Sequence, residues 1–142
     1  MDFDKESQQR ILRVAADKNE GRPTEELDER IAGVLELHPE FDSIWEEGEI
    51  ASMPREINGM IVNPFVHTVL HVIIDRQLQL GDPDYVAAAY KRLTSQGMES
   101  HEALHAIIAI FADLHFASTR RAEQFDALDY EVQINGLSFK AS

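Results

Sequence analysis

The chain has 142 residues, 26 Asp and Glu against 13 Lys and Arg, and no cysteine. At this length one domain, or one domain with a tail, is expected, and the 44% hydrophobic fraction supplies its core. A formal charge of −13 opposes phosphate backbones and anionic lipid, and the missing thiol excludes disulfides, Cys-type zinc sites, iron–sulfur clusters and thiol nucleophiles.

The first helix is expected over Asp4 to Lys18, with Ile11, Leu12, Ala15 and Ala16 on neighbouring turns. After a turn at Gly21, Arg22 and Pro23, Thr24 is suited to cap a helix whose Leu27, Ile31, Val34 and Leu35 form one buried stripe. Pro39 disfavours the α conformation at His38 and should end that helix. A short helical turn follows at Phe41, Ile44 and Trp45, and then an irregular connection from Gly48 to Val62 that contains Pro54, Asn58 and Gly59. Asn63 as cap and Pro64 at the first helical position open a helix that runs to Leu80 and stops at Gly81. Asp82 and Pro83 repeat that pattern for a helix ending at Gly97, and Ser100 is expected to cap a long helix from His101 to about Gln124. Tyr130 to Lys140 alternates around Asn135 and Gly136, the dipeptide of type I′ hairpins. The fold class is all-α: a small bundle of about five helices over residues 1–124, with a C-terminal β-hairpin or extended tail over 125–142.

Four of the six histidines form two pairs of equal spacing, His67 with His71 and His101 with His105. Residues four apart on a helix differ by about 40° in direction and lie roughly 6 Å apart along the axis, so two imidazoles can converge on one ion. For a single histidine, a hydrogen-bonded core or surface role is the more common fate; two such pairs on two helices favour a divalent transition metal. Zinc comes first, with iron, manganese and nickel as alternatives, all of which accept neutral imidazole. Asp75 continues the series 67, 71, 75 and is a candidate ligand or supporting carboxylate. Glu102, beside His101, is the candidate catalytic group, orienting a metal-bound water or serving as general base. A proton-sensing histidine cluster is the remaining chemical reading. His115 falls too far along its helix to share an ion with His105, and His38 is expected merely to complement the dipole at a helix C-terminus.

The segment His101 to His105, HEALH, also matches the helix of zinc peptidases, whose Glu activates a metal-bound water. The metzincin route to a third ligand needs a helix break at Gly, whereas AIIAIFADLH continues without one. Glu123, Asp126 or Asp129 would have to complete a different arrangement. The peptidase reading therefore ranks below plain metal binding.

Three segments, LELHPEF around His38, Asn63 to Leu80 beginning NPFVHTVLH, and YKRLTSQGMESHEALHAI from Tyr90 to Ile107, resemble the bacterial domain of unknown function 1841 family. The resemblance covers about the central two-thirds of the chain. It implies a small bacterial protein without an assigned activity, and it falls on Asn63, Pro64, His67, His71, Gln77, His101, Glu102 and His105.

The leading expectation is thus a metal-binding helical protein, enzymatic or not. The alternative is a non-enzymatic interaction module, a homodimer among its forms, that uses its acidic surface or C-terminal hairpin; a zinc hydrolase using HEALH comes third. The opening MDFDKESQQR is charged where a signal peptide would be apolar, and no apolar run approaches the ~20 residues that span a bilayer. A cytoplasmic protein with neither nucleic-acid nor membrane partners is expected.

Overall fold

A computed structural model describes residues 1–18, 26–48, 52–57 and 59–139. Seven α-helices, one 3-10 turn and a two-stranded hairpin occur among the described residues, which makes the protein essentially all-α. The elements are α1 (Lys5–Lys18), α2 (Glu26–Leu37), the 3-10 turn Pro39–Phe41, α3 (Asp42–Trp45), β1 (Arg55–Ile57), β2 (Met60–Val62), α4 (Pro64–Leu80), α5 (Asp84–Ser95), α6 (Ser100–Arg120) and α7 (Ala127–Asn135). Contacts group them into two compact units, Met1–Ile73 and Ile74–Ser142. The turn at Gly21 to Pro23, the Thr24 cap, Asn58 and Lys140 lie outside the described residues.

In the first unit, α1 and α2 bury Ile11, Val14, Ile31, Val34 and Leu35 together with Phe41, Ile44, Trp45, Phe65, Val69 and Val72. Each large aliphatic or aromatic side chain so buried contributes roughly 1.5–3 kcal/mol of transfer free energy. The stripe expected on α2 is the one buried, with Leu27 at its margin. Polar groups tie the same two helices together. Asp28, only 7% exposed, accepts from Arg10 Nε at 2.7 Å and from an Arg13 terminal nitrogen at 2.8 Å. A carboxylate that deep would be costly to desolvate without such charge-assisted partners.

The connection expected to be irregular contains the hairpin. Ile57 pairs with Met60, Glu56 with Ile61 and Arg55 with Val62. Gly59, between the two strands, takes φ +83°, a conformation that glycine adopts without steric cost. Asn63 then caps α4 as expected: its Oδ1 accepts from the Val66 backbone N–H at 3.1 Å, while its Nδ2 donates to the Ser52 carbonyl at 2.6 Å.

In the second unit, α5, α6 and α7 pack on one another around Val86, Ala89, Leu93, Ala103, Ile107, Phe111, Tyr130 and Ile134. Two expected caps move by a residue. Helix α5 begins at Asp84 with Pro83 before it and no side-chain cap, so Asp82 does not have that role. At α6 the capping side chain is Glu99, not Ser100; its carboxylate accepts from the N–H groups of His101 and Glu102, which hold its pKa below the ordinary value. Helix α6 ends at Arg120, short of Gln124.

The expected C-terminal hairpin is a helix instead. Asp126 caps α7 by accepting from the Asp129 N–H at 3.0 Å, and Gly136 closes it with φ −81°, inside the ordinary helical region. Tyr130 and Ile134 are buried, whereas Leu128 and Val132 are 76% and 69% exposed. A strand would have put 128, 130, 132 and 134 on one face; burial of 130 and 134 alone is the helical i, i+4 pattern. Contacts outside the segment finish it: Arg92 donates to the carbonyls of Ile134 at 3.0 Å and Leu137 at 2.9 Å, satisfying acceptors that a helix end leaves open.

Candidate metal centre

Two elements of the first unit deliver three imidazoles to one point. Pro39 stops α2 at Leu37 and opens the 3-10 turn, leaving His38 between them in a non-helical conformation with φ −128° and ψ 63°. The backbone of that corner is closed on both sides, by His38 N–H to the Leu35 carbonyl at 3.1 Å and by Phe41 N–H to the His38 carbonyl at 3.0 Å. The ring is turned inward, with the residue 4% exposed, and stacks on Phe41 with centroids 4.9 Å apart and planes 11° from parallel. His67 and His71 stand one turn apart on α4, half-buried and 2% exposed respectively.

Their Nε2 atoms form a nearly equilateral triangle. His38 to His71 is 3.0 Å, His38 to His67 is 3.1 Å and His67 to His71 is 3.1 Å. The three rings meet edge-on, with interplanar angles of 61° to 87°. A tetrahedral zinc with Zn–N bonds of about 2.0–2.1 Å holds its nitrogens about 3.3 Å apart, so the triangle is close to one face of such a coordination polyhedron.

On its far side, His38 presents Nδ1 to Glu40 Oε1 at 2.6 Å, the length of a strong charge-assisted hydrogen bond. With the Nδ1 proton engaged there, the Nε2 of a neutral His38 is an acceptor. His67 and His71, if neutral, bring at most one Nε2 proton each to the three edges of the triangle. At least one edge then holds two facing lone pairs, whereas a cation uses all three lone pairs at once. Carboxylate, histidine and metal in line is the usual outer support of a histidine ligand. The donor set fits a divalent transition metal, and the group is one whose atoms lie close enough to hold an ion.

Of the residues singled out in the sequence, the structure brings His67 and His71 together and adds His38, whose expected part was only that of a helix-terminal cation. In the second unit His101 and His105 also lie side by side on α6, with ring centroids 4.2 Å apart. Glu102 is exposed, its N–H given to the Glu99 carboxylate. Asp75 is exposed on α4, one turn beyond His71. His115 stacks on Phe111 at 5.7 Å, as a residue at the edge of a core. The sequence did carry a signal for His38: in His-Pro-Glu the proline takes the histidine out of the helix, and the carboxylate two residues on can reach its ring.

Fold and cluster together describe a helical protein whose first unit brings three imidazoles within hydrogen-bonding distance of one another. No helix among the described residues is long and apolar enough to cross a membrane. The chain belongs to the family described as Domain of unknown function (DUF1841), whose model matches residues 4–135. That match spans α1 through α7 and includes all three histidines of the centre. No curated protein and no solved structure matches the chain.

Proposed function

We propose that this protein binds one divalent transition metal, zinc foremost and iron, manganese or nickel next, through His38, His67 and His71. The observation that carries the reading is the triangle of Nε2 atoms at 3.0–3.1 Å. The equal spacing of the two histidine pairs in the sequence supports a fourth ligand from His101 or His105. A fourth imidazole closes the site and makes the ion structural; three imidazoles leave a position for water and hydrolytic chemistry. In the open case Glu102 is the proposed group acting on that water, with Asp75 as a supporting carboxylate.

Metal analysis of protein purified without chelator tests the proposal. About one equivalent of metal is expected, falling well below that in His38→Ala and in His71→Ala, with His101→Ala and His105→Ala tested singly to locate the fourth ligand. Absence of transition metal in the wild type, with all variants melting like it, contradicts the proposal.

A second reading, recruitment of a protein partner or a second copy, is favoured by one observation: Leu128 and Val132 lie exposed one turn apart on α7. Light scattering on a Leu128→Lys, Val132→Lys double variant tests it. A smaller assembly than the wild type supports the reading, and an unchanged mass removes it.

A further inference from the structure

We infer that Glu40 is the positioning residue of the centre: its carboxylate holds His38 in the Nδ1–H tautomer and so aims the Nε2 lone pair at the ion. The purpose of that hold rests on the metal reading above; the hold itself does not.

His67 and His71 are oriented by a continuous helix, which fixes both the direction of their Cα–Cβ bonds and their spacing. His38 has no such frame, because it stands at the corner where Pro39 has ended α2. Two contacts replace the helix. Phe41, stacked at 11°, sets the plane of the ring, and Glu40, at 2.6 Å from Nδ1, sets its rotation within that plane and decides which nitrogen carries the proton. Both come from the three-residue turn that begins at Pro39, so one local structure removes His38 from the helix, clamps it and selects its tautomer. In the Nε2–H tautomer the same geometry would point a proton into the middle of the triangle and oppose any cation there. Glu40 also contributes a negative charge behind a ligand set that is otherwise neutral.

Tautomer and charge separate under substitution. A glutamine at position 40 can still accept from Nδ1–H but carries no charge, and an alanine can do neither. Glu40 is partly open to solvent, so neither change removes core packing. The test is two-fold: nitrogen-15 spectra of the histidine rings in metal-free protein, and zinc titration followed by emission of Trp45, the one tryptophan of the chain, which packs on Phe41. Expected is an Nδ1–H His38 in the wild type and in Glu40→Gln, and a shift toward Nε2–H in Glu40→Ala. Zinc affinity should fall about 10–100-fold in Glu40→Ala and by less in Glu40→Gln. A wild-type tautomer and a zinc affinity within about two-fold of wild type in Glu40→Ala would overturn the inference. Failure of the wild type to take up zinc defeats the metal reading alone, and the tautomer result then decides whether Glu40 holds His38.

Discussion

Pro39 takes His38 out of α2 through backbone chemistry. By disfavouring helix at the preceding residue, it converts a side chain at the end of α2 into one that folds back against α4. The i, i+4 spacing of His67 and His71 was legible without coordinates because it is local geometry. His-Pro-Glu marks His38 locally, but not its meeting with His71, which is 33 residues away and is reached only when α2 and α4 pack. Burial acts on other single residues as well. The Tyr130 hydroxyl donates to Gln77 Oε1 at 2.9 Å, and desolvation, with a smaller effect of Tyr85, raises the phenol pKa well above its ordinary 10.0. The folded state therefore holds that proton more tightly than the unfolded chain. Its contribution is fully present below pH ~10 and is lost as pH rises beyond, because only the unfolded chain gains by ionising there. Urea melts above pH 10 should show a declining midpoint, and Tyr130→Phe should make the decline shallower; an equally steep decline in the variant contradicts this.

Helix α7 illustrates how an element can be decided from outside itself. The sequence Tyr130 to Gly136 satisfies a strand pattern and a helix pattern at once, because residues 130 and 134 are separated by a multiple of two and by about one helical turn. Asn135-Gly136 favours a hairpin locally, yet Gly136 closes a helix at φ −81°, whereas Gly59, between β1 and β2, takes φ +83°. Beside Gly136, the Arg92 guanidinium reaches from α5 to the carbonyls of Ile134 and Leu137. No window of sequence around residue 135 contains that information. By contrast, the end of α2 and both ends of α4 are legible locally, because Pro39, Asn63 with Pro64 and Gly81 punctuate them. Removing the clasp should free the end of α7. For Arg92→Ala we expect a loss of about 1.5–3 kcal/mol, the range for hydrogen bonds from a charged donor, and faster amide exchange confined to α7 and the residues after it. Unchanged exchange in α7 would show that its packing on α5 and α6 suffices without the arginine.

At the scale of the whole molecule, a chain with no cysteine and an excess of 13 negative charges has its imidazoles as the concentrated nitrogen ligands, and those of His38, His67 and His71 converge. The all-α class followed from helical periodicity and capping residues, and family membership from the histidine-bearing segments. Function is less legible in the fold, since a helical scaffold can hold many kinds of site and only the site specifies chemistry. Metal binding should also appear as stability, since an ion that prefers the folded chain adds about 2.7 kcal/mol when free at about 100 times its dissociation constant. The most direct measurement is X-ray absorption at the zinc edge of the zinc-loaded protein. The account predicts a first shell dominated by imidazole nitrogen at about 2.0–2.1 Å, diminished in His38→Ala. A shell of oxygen alone, without imidazole scattering, or one indifferent to His38, would contradict it.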